Sequence, residues 1–294
     1  MSVSVSGSGS GSGSVKPELA CRYRRGMHEI RAVLLDIDGV LTVSWRPIPG
    51  AAEAVAWLRE AGYQVALVTN TTSRTRAWIA GTLAQAGFPV TAADVFTAPA
   101  ITAAYLAQHH PGARCALLTS GDIGADLASV CLIADDDPQP PDVVILGGAG
   151  PEFSYAALNR IFGYLRGGAA FVAMHRNMFW RTDGGLQLDS AAFLAGLEQA
   201  AGVQAEVTGK PSDAFFATAL TALGVTAAHA AMVGDDIHSD VLAAQRAGMT
   251  GVLVRTGKYL AQTHHDAPAE PDHVIESIAG LPALLAGPAS AKGS

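Results

Sequence analysis

The feature that most constrains this chain recurs four times: a short apolar run that stops abruptly at a cluster of polar residues. Arg31-Ala32-Val33-Leu34-Leu35 ends at Asp36-Ile37-Asp38-Gly39, and the run 64–68 ends at Thr69-Asn70-Thr71. Ala205-Glu206-Val207 leads to Gly209-Lys210-Pro211, and Ala230-Ala231-Met232-Val233 to Gly234-Asp235-Asp236. Runs of this length and content read as buried strands of a parallel sheet. More strands are expected at 116–118, 143–146, 170–173 and 251–254, with helices at 50–61, 74–86, 155–165, 190–201, 213–223 and 239–247. Such alternation predicts an α/β protein with crossover helices between parallel strands. Ligands of open parallel sheets bind just beyond the carboxyl ends of the strands, so four polar clusters placed there can share one pocket.

The 294 residues, 49% hydrophobic and 15% charged, are enough for two packed units, which is the expected number. The net charge of -7 and the lack of a dense Lys/Arg block argue against nucleic acid or anionic lipid as partners, leaving a small molecule or a protein. Cys21, Cys115 and Cys131 are odd in number and without metal-ligand spacing, so neither a disulfide framework nor a zinc site is expected. No apolar run has the length of a bilayer-spanning helix, which points to no membrane association and a cytoplasmic location. Residues 1–14, MSVSVSGSGSGSGS, have the composition of a flexible linker, and 1–26 are expected to be a disordered extension.

Asp36 and Asp38 stand one residue apart at a strand end, and Gly39 permits the tight turn that aims both carboxylates into the crevice. One carboxylate can attack phosphorus while the other protonates the leaving group and later activates water. An Asp-x-Asp-Gly turn without chemistry is the plain alternative; an EF-hand is excluded because its twelfth position falls on Pro47. Asp36 and Asp235 are the carboxylates suited to Mg²⁺, which takes oxygen ligands. For Asp236 and Asp240, capping of a helix N-terminus competes with a role in supporting the ligands from behind. Lys210 is a cation able to neutralise charge on a phosphoryl group and on Asp36, Thr69 can donate its hydroxyl, and backbone N–H groups near Asn70 can complete a phosphate cradle.

In order, Asp-x-Asp-Gly-Val-Leu, Val-Thr-Asn, Gly-Lys-Pro and Val-Gly-Asp-Asp resemble the motifs of the haloacid dehalogenase superfamily. The long interval between Thr69 and Lys210 resembles the large α/β cap of its subfamily IIA. Gly147-Gly148-Ala149, Phe153-Ser154-Tyr155 and Arg255-Thr256-Gly257-Lys258-Tyr259 are similar to the phospholysine phosphohistidine inorganic pyrophosphate phosphatase subgroup. The resemblance implies a doubly wound, Rossmann-like core (27–98 and 189–285), a cap (99–188) and a flexible tail (286–294). It further implies Asp36 as nucleophile, Asp38 as acid/base and, through its carbonyl, a metal ligand beside Asp36 and Asp235. Thr69, Asn70 and Lys210 would bind phosphate, with Mg²⁺ as cofactor and a small phosphorylated molecule as substrate. Animal members of the subgroup carry Ser at the position of Asp38, and an acid there favours phosphate esters, whose alkoxide leaving group needs a proton.

The cap stretch from His175 to Arg181 mixes cations and aromatics, and the resemblance places His175, Arg176 and Asn177 on the substrate; cap core or a dimer seam is the alternative for Phe179 and Trp180. A homodimer through the cap is expected. The activity implied is Mg²⁺-dependent phosphate hydrolysis through an aspartyl phosphate, with phosphomonoesters ahead of P–N compounds or pyrophosphate. A phosphoryl transferase and a slow-turnover phospho-ligand sensor are the alternatives.

Overall fold

The computed structural model describes residues 27–182 and 185–287, without the side chains of His28 and of 180–186. The expected N-terminal extension, most of the tail from 286 onward and the side chain of Trp180 therefore lie outside the described residues.

The chain enters through strand β1 (Ala32–Asp36), makes a small hairpin of β2 (Thr42–Val43) and β3 (Arg46–Pro47), and crosses by α1 (Ala51–Glu60) to β4 (Gln64–Thr69). Helix α2 (Arg76–Gln85) and β5 (Val95–Thr97) complete the first half of one sheet. A second unit follows: α3 (Ala98–His109), β6 (Arg114–Leu118), β7 (Cys131–Leu132), β8 (Val143–Leu146), α4 (Tyr155–Arg166), β9 (Ala170–Ala173), and the hairpin β10 (Phe179–Thr182) and β11 (Gly185–Leu188). It ends with α5 (Ser190–Ala201) and β12 (Glu206–Val207). The chain then returns through α6 (Asp213–Leu223), β13 (Ala230–Gly234), a π-helical turn (Ile237–Leu242), α7 (Ala243–Arg246), β14 (Thr250–Val254), α8 (Ala261–His265), β15 (His273–Ile275) and α9 (Leu281–Ala286).

The first sheet has the order β15-β14-β13-β1-β4-β5 and the second β12-β9-β8-β6-β7, and every ladder in both is parallel. This is the expected α/β, doubly wound core with an inserted α/β cap. Alternate residues of β1 feed two separate cores: Val33 and Leu35 pack with α1 residues such as Val55 and Leu58, whereas Ala32 and Leu34 pack with Phe215 and Phe216 of α6. The period of two places apolar side chains on both faces, which is why β1 reads as an unbroken apolar run. In the cap sheet Val144, Leu146 and Phe171 face α4 and α5, and Val143, Ile145 and Val172 face the α3 side.

The cap extends beyond the limit expected at 188, because Leu194, Leu197 and Ala201 of α5 pack into the cap core and β12 pairs with β9. Motif placement had put 189–207 in the first unit; burial of the α5 apolar face against α4 and Phe171 assigns it to the second. Helix α3 was not expected, yet it is locally encoded by the Thr97 hydroxyl, which caps the Ala100 N–H at 3.3 Å, and by a proline in the first turn. Cys115 is buried and free, its thiol pushed up to about 11 by burial, and Cys131 is exposed and free.

Candidate active site

β1 lies at the centre of the first sheet, with β4 on one side and β13 on the other, so chain connections diverge on either side of it. A crevice opens at such a switch point. Asp36 ends β1, Thr69 ends β4, and Asp235 directly follows β13. Lys210 reaches the same place from the segment returning out of the cap.

The Lys210 ammonium is buried and sits 2.7 Å from Asp36 Oδ1 and 2.7 Å from Asp240 Oδ1. Burial would lower its pKa, but Asp240 and Asp36 outweigh that and raise it, so it is held as a cation. Oxygens of Asp36, Asp235 and Asp240 lie within 4.8 Å of one another. Burial, followed by repulsion from Asp36 and Asp240, pushes Asp235 up to about 8, and burial raises Asp240 to about 6 against the pull of Lys210. Asp235 Oδ2 accepts the Lys258 N–H at 2.6 Å, while Asp235 Oδ1 is buried without a hydrogen-bond partner. Three carboxylates in mutual repulsion, one with an orphaned oxygen, form a donor set that fits a hard divalent cation such as Mg²⁺.

Two glycines make this packing possible. A Cβ on Gly39 (φ +94°) would fall 1.9 Å from Asp235 Oδ2, and one on Gly257 (φ +62°) 2.1 Å from the same atom. Asp38 stands at the rim, where burial of its carboxyl and the charge of Asp36 raise its pKa, while Lys258 and the Ser44 N–H pull it down. That N–H comes from the β2–β3 hairpin, whose tip residues Ser44 and Trp45 both have positive φ.

The other expected residues have the following partners. The Asn70 side chain donates to the Lys210 carbonyl at 2.9 Å and accepts the Lys210 N–H at 2.8 Å, so it positions the lysine. Thr69 Oγ1 lies 2.9 Å from Thr71 Oγ1 and accepts the Thr71 N–H at 3.1 Å. Asp236 is the helix cap, accepting from the His238 and Ser239 N–H groups at 2.9 and 3.0 Å. The π-helical turn, with Val241 N–H bonded to the Asp236 carbonyl, carries the Asp240 side chain inward to Lys210, and Asp240 Oδ2 also accepts the Asp236 N–H at 3.3 Å.

The cap meets the crevice with the carboxyl ends of its own strands. A Cβ on Gly209 would lie 2.1 Å from the Met174 carbonyl, and one on Gly148 would lie 2.3 Å from Thr72 Oγ1 and 3.9 Å from His175 Nε2. His175 is therefore buried at the seam, 3.9 Å from Asp189, and burial lowers its pKa against the opposing charge of Asp189. Arg176 is not brought to the carboxylates; it forks onto Glu198, Nη1 at 3.0 Å from Oε2, and ties the end of β9 to α5. The exposed Asn177 donates its N–H to His175 Nδ1 at 3.3 Å. Asp126 of the cap, unmarked in the sequence, accepts from Arg76 N (3.0 Å), Arg76 Nε (3.2 Å) and Thr97 Oγ1 (3.0 Å), fastening the cap to α2 and β5.

This arrangement, a carboxylate pair at the end of a central parallel strand with a buried lysine and an acidic cluster beneath an α/β cap, defines a class of capped hydrolases. The family profile described as haloacid dehalogenase-like hydrolase matches residues 33–131, and a second, HAD-hydrolase-like, matches 207–281. The human phospholysine phosphohistidine inorganic pyrophosphate phosphatase is 36% identical over 262 residues, 87% of this chain and 94% of its own. A 4-nitrophenylphosphatase from Thermotoga maritima superposes with a TM-score of 0.80 at 25% identity, over 87% of this chain and 98% of its own. A glycerol phosphate phosphatase from Mycobacterium tuberculosis, in complex with magnesium, gives 0.78 at 27% identity, over 87% of this chain and 77% of its own. The chain belongs to the haloacid dehalogenase-like hydrolases. Within them it is a phosphoric ester hydrolase of the branch with the large α/β cap.

Proposed function

We propose that the protein is a Mg²⁺-dependent phosphatase that acts on a small phosphorylated molecule through an aspartyl phosphate on Asp36. The observation that carries this reading is the buried Lys210 ammonium, which contacts Asp36 beside an acidic cluster containing an unpartnered carboxylate oxygen. Asp36, Asp235 and the Asp38 carbonyl, with Asp240 close behind, would hold the ion, which when bound screens charge on the phosphoryl oxygens. An Asp36 oxygen attacks phosphorus, the P–O bond to the leaving group breaks, and Asp38 delivers its proton to the departing oxygen. Burial and the charge of Asp36 raise the pKa of Asp38, the direction that favours a proton donor. Asp38, now a carboxylate, takes a proton from water, which attacks the aspartyl phosphate and frees Asp36. Lys210 offsets the charge that builds when one anion attacks another, Thr69 and the backbone near Asn70 cradle the phosphoryl oxygens, and the cap excludes bulk water.

On the cap side His175 is the best-placed substrate contact, since it shares the Gly148 seam with Thr72. Dimerisation through the cap is supported by exposed apolar side chains in and beside the β10–β11 hairpin, Met178, Phe179 and Leu188; sedimentation of the full chain would show a monomer if that is wrong. The activity is tested by phosphate release from phosphomonoesters, pyrophosphate and phosphohistidine, with Mg²⁺ or EDTA, for the native chain and Asp36→Asn. Mg²⁺-dependent release lost in the variant is expected. Transfer of the phosphoryl group to a sugar hydroxyl would favour the transferase, and a stable phosphoprotein the sensor.

A further inference from the structure

We propose that Lys258 is a specificity-determining residue of this site, selecting substrates whose leaving group carries a second negative charge, of which inorganic pyrophosphate is the simplest. The inference rests on the phosphatase reading above and deepens it. Two lysines reach the carboxylate cluster, and they are held in opposite ways. The Lys210 ammonium is buried and spends its donors on Asp36 and Asp240. The Lys258 ammonium stands at the exposed rim and, among the described residues, makes no ion pair or hydrogen bond, though it lies within the field of Asp36, Asp38, Asp235 and Asp240.

Its backbone, by contrast, is fixed. The Lys258 N–H donates to Asp235 Oδ2 at 2.6 Å, Thr256 Oγ1 donates to the Gly39 carbonyl, and Gly257 packs on the Gly39 Cα so tightly that a Cβ would lie 2.4 Å from it. A rigid anchor with a free four-carbon stem delivers a cation to a small region beside the cluster. A recess of about 120 Å³, bordered by His238, Tyr259 and His264, leaves the stem room to adjust to a bound anion.

The Lys210 ammonium is occupied by Asp36 and Asp240, which leaves Lys258 as the lysine able to meet a bound anion. In a displacement on phosphorus the attacking and leaving oxygens are roughly in line, which puts the leaving group on the Asp38 side, away from Asp36. Thr256 Oγ1 and Gly257 pack on Gly39, the residue after Asp38, and so bring Lys258 to that side. An anion attached to the leaving oxygen meets Lys258 there, whereas an uncharged leaving group gains nothing from it. Arg74 lies over the Trp78 ring, Arg176 pairs with Glu198, and Arg255 pairs with Glu276.

The experiment compares kcat/KM for pyrophosphate and 4-nitrophenyl phosphate, in Mg²⁺, for the native enzyme, Lys258→Ala and Lys258→Arg. The pyrophosphate-to-nitrophenyl ratio is expected to fall roughly ten- to hundredfold in Lys258→Ala, the scale of a charge-assisted contact, and to recover in Lys258→Arg. Equal losses on both substrates would overturn the proposal, because Lys258 would then act on the cluster alone. A second arm reads binding without turnover, by calorimetry on the Mg²⁺-loaded Asp36→Asn enzyme with pyrophosphate and with orthophosphate. Removal of Lys258 should weaken pyrophosphate roughly tenfold more than orthophosphate, and an equal effect on the two would again overturn it. Were the native enzyme to hydrolyse neither compound, the phosphatase reading would fall, and calorimetry would still decide the role of Lys258.

Discussion

Replacing Lys210 with methionine tests whether the site is an electrostatic unit, because the change keeps most of the stem volume and removes the charge. Both contacts of its ammonium are 2.7 Å long, with both partner carboxylates buried. Coulomb's law at an effective dielectric of about 20 gives each contact roughly 6 kcal/mol before desolvation. Taking charges out of water cancels most of that, and breaking a buried pair by removing one partner costs about 3–5 kcal/mol, since the other is left buried and uncompensated. We expect Lys210→Met to lower stability by that amount, a fall in thermal midpoint on the order of 10 °C, measured in EDTA by circular dichroism. Adding Asp36→Asn should then restore at least about 1 kcal/mol, because the stranded charge is gone. Saturating Mg²⁺ should restore stability to Lys210→Met as well. If the two substitutions add within about 0.5 kcal/mol, Lys210 and Asp36 are not coupled and the electrostatic reasoning is wrong.

Three further outcomes can be measured. Gly39→Ala should cost more stability than Gly62→Ala and should also weaken Mg²⁺ binding in a calorimetric titration; both positions have positive φ, but only Gly39 would drive a Cβ into Asp235, while Gly62 has open space around it. Because burial holds the His175 pKa below 6.5, the unfolded chain binds the proton more readily, so stability is fully present above pH 6.5 and declines as pH falls below it; thermal midpoints between pH 7 and 5 should drop less in His175→Asn. Asp126→Ala leaves the Arg76 N–H and Thr97 hydroxyl without their acceptor and should cost about 1–3 kcal/mol, with faster amide exchange at Arg76; unchanged exchange would show that Asp126 does not fasten the cap.

Much of the fold was legible because its signals are local. Strands such as β1 and β8 are buried on both faces, so they appear in the sequence as unbroken apolar runs, and α4, α5 and α6 announce themselves by caps at Ser154, Asp189 and Ser212. The short elements escaped for the same reason. β5, β7 and β15 have two or three residues each, too few to show a period. The polar motifs mark where the chain touches the crevice, whereas α5 is placed by the core it fills.

The site divides along a similar line. Asp36, Thr69, Lys210 and Asp235 each sit at or just beyond a strand, where the parallel sheet itself delivers side chains to the crevice. Asp240 and Asn70 have partners far away in sequence: Asp240 reaches Lys210 through the widened turn after Asp236, and the Asn70 amide bonds the backbone of Lys210, 140 positions on. Asp126 shows the limit most clearly. Nothing in Gly124–Leu127 marks it, since its meaning comes from Arg76 and Thr97, which no local pattern connects to it. Residues at strand ends sit where the fold places any side chain at that position, so spacing finds them. Residues that hold one unit against another are defined by the pair of surfaces in contact, and a single sequence contains that information only after both surfaces have been built.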